Sequence, residues 1–284
     1  MRLKNKKRHS IRKVIILSTT MFFIGIYLSF HYIHNTVNIN LDKSYSEFML
    51  DREYSNNTII HSFSNVIHDN TSISVKEEKR DEPVIYIYNT HQGEEYASNE
   101  LFSFSPNVTM VDYILESHFN SNDYKTLVEE RSISEILSNN SWNYASSYRA
   151  SRIFLEDVIT KYPTLKYFID VHRDSLSRDR TTITIDNKDY AKILFIVGLE
   201  NDNYQANLDF TEKINNKINE KYPNLSKGIL QKSGAGVNGI YNQDFSPYTI
   251  LVEVGGYENT TYEVLNTSLA FSECFLEVID ESND

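Results

Sequence analysis

From Pro83 onward, short runs of β-branched and aromatic residues alternate with longer amphipathic stretches, which restricts the chain to an α/β fold. Val84–Tyr88 (VIYIY), Tyr167–Val171 (YFIDV) and Thr249–Val254 (TILVEV) are compact apolar runs suited to buried strands. Shorter strands are expected at Thr126–Val128 and Ile229–Gln231. Thr181–Ile185 and Ile193–Val197 read as a strand pair, joined through the turn-forming Asp186, Asn187, Lys188 and Asp189. Helical spacing of apolar residues runs through Val108–Phe119, Tyr144–Ile159, Leu208–Tyr222 and Thr261–Ile279, and Pro163 and Pro223 stop the second and third of these. The expected architecture is a three-layer α/β/α sandwich with a mixed sheet between helices. In such sheets ligands gather at the carboxyl ends of the strands. The residues that follow the three long runs are therefore the first candidates for chemistry.

After VIYIY comes Asn89-Thr90-His91-Gln92-Gly93-Glu94-Glu95, which sets a histidine and a glutamate three residues apart. After YFIDV stands His172. Two imidazoles and one carboxylate form a ligand set for catalytic zinc, which takes three protein ligands and keeps one position open. Other divalent metals accept the same donors. An isolated His-x-x-Glu also arises as a hydrogen-bonded surface pair, so position is what separates the readings. Of the eight histidines, only His91, His118 and His172 fall within the domain that starts at Pro83, and two of these sit at strand ends. His118, near the end of a helix, is read as structural or solvent-exposed. Asp170 lies two residues before His172, on the same side of a strand. It either holds the free ring nitrogen of His172 or begins a loop.

Glu253 lies inside TILVEV, just before Gly255-Gly256. A carboxylate in a buried strand is costly unless it is paired, metal-linked or protonated, which makes Glu253 the candidate general base. Arg173 is the candidate for steadying an oxyanion or a substrate carboxylate, with pairing to a structural acid as the other reading. Tyr148, Arg149, Ser151 and Arg152 read as a solvated helical face. Asn242, Gln243 and Asp244 read as ordinary loop polarity. Cys274 reads as a core residue, and as the sole cysteine it excludes an internal disulfide.

The N-terminal part follows different rules. Residues 1–13 carry seven basic residues and no acid. With those seven taken from the 28 basic residues, 21 face all 39 acids, a balance of −18 over the rest of the chain. So acidic a body excludes nucleic acid as the expected partner. Residues 14–33 carry no charge and, at 1.5 Å per residue, span ~30 Å as a helix, the thickness of a bilayer core. The expectation is an uncleaved single-pass anchor in the cell membrane, with a cytoplasmic basic tip and everything after it extracytoplasmic. Residues 34–82 are polar without sustained period and are expected to be a linker to the domain at 83–284.

Taken together, IYNTHQGEEY, YFIDVHRDS, YNQDFSPYTILVEVGGYENT and the helix that begins SYRASR resemble the stage II sporulation protein P family, over roughly residues 83–280. The resemblance implies a fold like the zinc N-acetylmuramoyl-L-alanine amidases and zinc carboxypeptidases. It implies a membrane-anchored peptidoglycan hydrolase that cuts between the glycan's lactyl group and the stem peptide, with endopeptidase activity beside it, on the septal wall during engulfment. It implies Zn2+ on His91, Glu94 and His172, and it selects Glu94 over Glu95. Expected partners are the lytic transglycosylase called stage II sporulation protein D and the membrane protein called stage II sporulation protein M. Family members commonly read His-Thr-His where this chain reads Asn89-Thr90-His91; the ligand is aligned with His91, so Asn89 replaces a non-ligand. Two other readings stay open at this level: a zinc carboxypeptidase-type peptidase on wall peptides, and a catalytically inactive wall-binding scaffold.

Overall fold

The computed structural model describes residues 82–97 and 106–282. The expected basic tip, the anchor at 14–33 and all but the last residue of the 34–82 linker lie outside the described residues. Among the described residues no helix is long and apolar enough to cross a membrane.

The chain alternates as its pattern requires. The first half runs β1 (Ile85–Tyr88), α1 (Thr109–Ser121), β2 (Thr126–Val128), α2 (Ile133–Asn139), α3 (Ser147–Lys161) and β3 (Tyr167–Asp174). The second half runs α4 (Arg178–Thr181), β4 (Thr182–Ile185), β5 (Lys188–Ala191), β6 (Ile193–Gly198), α5 (Tyr204–Lys221), β7 (Ser226–Lys232), β8 (Thr249–Gly256) and α6 (Thr261–Glu281). Six strands form one sheet in the order β2-β1-β3-β8-β6-β7. The first four are parallel neighbours, β6 runs antiparallel to β8, and β7 is parallel to β6, so the sheet is mixed and mostly parallel.

One expected pairing is corrected. Thr182–Ile185 pairs with Lys188–Ala191, a strand that sequence reading had assigned in part to a turn. Asp186 and Asn187 have φ of 50° and 61°, the left-handed pair that a two-residue hairpin turn requires. Ile193–Gly198 instead enters the main sheet between β8 and β7, where an unbroken apolar run is paired along both edges. Helix α2 was not anticipated. It starts at Ser132, whose Oγ accepts the Glu135 amide at 3.2 Å.

The sheet's two faces are covered unequally. On one, Ile85, Ile87, Ile169, Val171, Ile250, Val252, Val254, Ile193 and Phe195 belong to a single core with α1, α5 and α6, and Cys274 sits within it as expected. On the other, Tyr86, Tyr88 and Phe168 pack with Leu155 of α3, while Leu194, Ile196, Leu230 and Leu251 line a pocket. That open stretch lies beside the carboxyl ends of β1, β3 and β8.

Candidate active site

His91 and Glu94 share a tight turn after β1, in which the Glu94 amide donates to the His91 carbonyl at 3.1 Å. The turn sets both side chains together, with His91 Nδ1 at 3.6 Å from Glu94 Oε1. β3 carries His172 to the same place, its Nδ1 at 3.4 Å from Glu94 Oε2. The three potential ligand atoms lie within 4.8 Å of one another. The pocket around them, about 510 Å³, also contains Tyr148, Asp174, Lys227, Tyr241 and Glu253. β3 and β8 pair in parallel with His172 opposite Glu253, so both side chains emerge on one face from neighbouring strands.

A group of buried polar contacts holds the ligand loops. Asp170 Oδ1 lies 3.1 Å from His172 Nε2, an ion-pair approach rather than an aligned hydrogen bond, since that nitrogen has no hydrogen-bonded partner. This leaves Nδ1 for the cluster. Asp170 also accepts the Thr90 amide at 2.9 Å and its hydroxyl at 2.7 Å. Thr90 Oγ1 meets Ser151 Oγ of α3 at 2.8 Å, and Asn242 Nδ2 donates to that same Ser151 oxygen at 2.9 Å. Four segments distant in sequence are thereby tied together. After β8, Gly255 has φ of 68°, and a Cβ on Gly256 would stand 2.1 Å from the Leu176 carbonyl, so the glycine pair lets the loop after β3 cross closely beside the site.

The electrostatics separate the two sides of the pocket. Burial alone would raise Glu94, but its bonds to His172 and His91 hold it at about 2. Burial alone would depress His172; the charges and contacts of Asp170 and Glu94 raise it to about 10. A buried imidazole between two carboxylates thus draws in a positive charge. Two imidazoles, one carboxylate and a further carboxylate behind His172 suit a zinc ion in chemistry and number. Glu253 behaves oppositely. Burial and then the nearby Asp174 push it up to about 7, opposed by His172 and Lys227. Lys227 itself binds Asp174 at 2.5 Å.

Arg173 is placed differently from the sequence expectation. Its amide donates to Glu94 at 2.9 Å, and its guanidinium donates to the carbonyls of Glu95 at 2.7 Å and Asp174 at 3.2 Å. Asn89 turns away from the ligands, donating to Asp112 Oδ1 at 3.1 Å and to the Val171 carbonyl at 3.0 Å. Sequence reasoning missed Tyr148 and Ser151, assigned to a solvated face. Tyr148 meets His91 edge-on at 5.6 Å and stacks over His172 at 6.4 Å between ring centroids. A signal existed: the buried positions Ser147, Ala150, Ser151, Phe154 and Leu155 follow the helical period. His118 lies in the last turn of α1, remote from the pocket lining.

The stage II sporulation protein P family matches residues 28–276. Stage II sporulation protein P of Bacillus subtilis (strain 168) is 33% identical over 211 residues, which cover 72% of this chain and 53% of that protein. The chain therefore belongs to the stage II sporulation protein P family, and it spans about half the length of that relative. Among solved structures, the CwlD amidase of Clostridioides difficile in complex with the GerS lipoprotein is similar at 12% identity and a TM-score of 0.46, covering 71% of this chain and all of that one. The N-acetylmuramoyl-L-alanine amidase of Clostridium difficile 630 is similar at 12% identity and a TM-score of 0.41, covering 72% of this chain and 98% of that one.

Proposed function

We propose that this chain is a zinc-dependent peptidoglycan hydrolase, an N-acetylmuramoyl-L-alanine amidase with endopeptidase activity beside it. Anchored by residues 14–33 in the cell membrane, it acts on the septal wall during sporulation. The observation that carries the reading is the convergence of His91, Glu94 and His172 beside Glu253 in one pocket. Membership of a sporulation protein family supports a cell-wall hydrolase role.

His91, Glu94 and His172 would hold Zn2+, which supplies Lewis-acid polarisation of the scissile carbonyl. Asp170 keeps the His172 ring oriented by its approach to Nε2. Glu253, held near 7, accepts a proton from the attacking water on its carboxylate and returns it to the leaving amine. Burial pushes the Tyr148 hydroxyl upward, so it stays protonated and donates to the developing oxyanion. The Arg173 guanidinium is engaged by main-chain carbonyls. Its part is to position Glu94, through its amide, and the adjoining turn, through the Glu95 carbonyl.

Full-length protein in detergent, incubated with defined muropeptides, tests the reading. Release of intact stem peptide, lost on chelation and restored by Zn2+, is the expected outcome. Cleavage only within the peptide would favour a carboxypeptidase-type peptidase. A zinc-loaded protein that binds wall without hydrolysing it would be a scaffold, and the proposal would fail. Association with stage II sporulation proteins D and M belongs to the same reading and is tested by co-purification.

A further inference from the structure

Beside the metal-ligand pocket lies a second one of about 290 Å³, lined by Tyr148, Arg149, Arg152, Asn238, Asn242 and Asp244 among others. Tyr148 lines both, so its side chain forms a shared wall. The two arginines differ. Arg152 is neutralised: Nη1 contacts both Asp244 oxygens at 2.8 Å, and Nε contacts Glu156 at 3.1 Å. Arg149 has no carboxylate partner among the described residues. Its guanidinium carbon lies over the Trp142 ring, 3.8 Å from the centroid. A cation–π contact of this kind holds the guanidinium in place and leaves N–H groups for an anion, at small entropic cost on binding. Asn238 Oδ1 accepts the Ile240 and Tyr241 amides at 3.1 and 2.6 Å, leaving its Nδ2 as a second donor at the pocket.

We propose that this second pocket is an anion subsite in which Arg149, held over Trp142, binds a carboxylate of the acidic stem peptide. The inference rests on the hydrolase reading and adds polarity to it. The peptide leaves on the Arg149 side of Tyr148, and the uncharged glycan occupies the remainder of the metal-ligand pocket. The scale fits, because a peptide advances about 3.3–3.6 Å per residue. A carboxylate one or two residues beyond the scissile amide therefore lies about one side chain away from it. A wall-polymer phosphodiester offers related anionic chemistry, so the substrates of the test are soluble muropeptides that carry none.

The experiment uses the full-length zinc-loaded protein and two muropeptides, identical except for a free carboxylate or a carboxamide on the second stem residue. Wild type is expected to favour the carboxylate by about tenfold or more in kcat/KM, through KM, as one charge-assisted fork contact implies. Arg149→Gln should erase that preference while zinc content, kcat and activity on the carboxamide stay unchanged. Arg149→Lys should restore part of it, since a point charge lacks the fork. Equal use of both substrates by wild type, or a preference that survives Arg149→Gln, overturns the subsite. Calorimetry with the free acidic stem peptide provides an arm independent of turnover: about tenfold weaker binding by Arg149→Gln is expected, and equal binding refutes the proposal. Should neither muropeptide be cleaved, the hydrolase reading falls, and calorimetry still decides the subsite.

Discussion

The two faces of the central sheet are built from the same strands and do opposite things. On one face, Ile193 and Phe195 of β6 and Ile250, Val252 and Val254 of β8 share one apolar core with α1, α5 and α6. On the other, the same strands present Leu194, Ile196, Leu251 and Glu253 to a pocket. A single residue step along β8, from Val252 to Glu253, crosses from core to site, because successive side chains alternate between faces. The covered face supplies stability. The face left partly open tolerates a carboxylate without a hydrogen-bonded partner among the described residues, as reactive groups require.

The sharpest test of this contrast is Glu253→Gln. It should lower hydrolysis by about 10²–10⁴-fold, as expected for a lost general base, while zinc content and melting temperature change little. Unchanged turnover would remove Glu253 from the chemistry; a collapse in stability would make it a core residue instead. Next comes Phe195→Ala on the covered face, expected to cost about 3–5 kcal/mol in denaturant unfolding. Leu230→Ala on the open face should stay within about 0.5 kcal/mol, since Leu230 is 42% exposed. Equal losses would break the comparison.

A further test is a pH dependence from the covered side. Asp112 of α1 is fully buried, and burial pushes its pKa well above the ordinary range, against the opposing bond from Asn89. Asp112 Oδ2 and Asn89 Oδ1 are both buried acceptors without donors, and a proton on Asp112 removes the charge and supplies one. A raised carboxyl pKa contributes stability that is full below the unfolded value and is lost as pH rises through the folded one. Between those values wild type should lose about 1.4 kcal/mol per pH unit relative to Asp112→Asn, which stays neutral throughout. Parallel stability profiles for the two proteins would show that Asp112 ionises normally.

Much of this was legible along the chain, for reasons that are local. The three long strands and four helices stand where apolar period and proline punctuation placed them. The pairing of His91 with Glu94 is a four-residue turn, set by its own backbone bond. Glu253 stood out because a carboxylate inside TILVEV breaks an apolar run. The strand partner of Thr182–Ile185 was misread, because a turn-forming pair and the strand after it look alike in composition; only the left-handed backbone at Asp186 and Asn187 distinguishes them.

The sequence by itself determined which segments become strands and helices, and which carry imidazoles and carboxylates at their ends, since both depend on residues a few positions apart. Tertiary structure decided the meeting of His172 with Glu94, 78 residues earlier, the burial of Ser151 between Thr90 and Asn242, and the orientation of Tyr148 into the pocket. It also decided that the Arg173 guanidinium serves two main-chain carbonyls. Those outcomes depend on which sheet face each helix covers and which polar groups must be satisfied once buried.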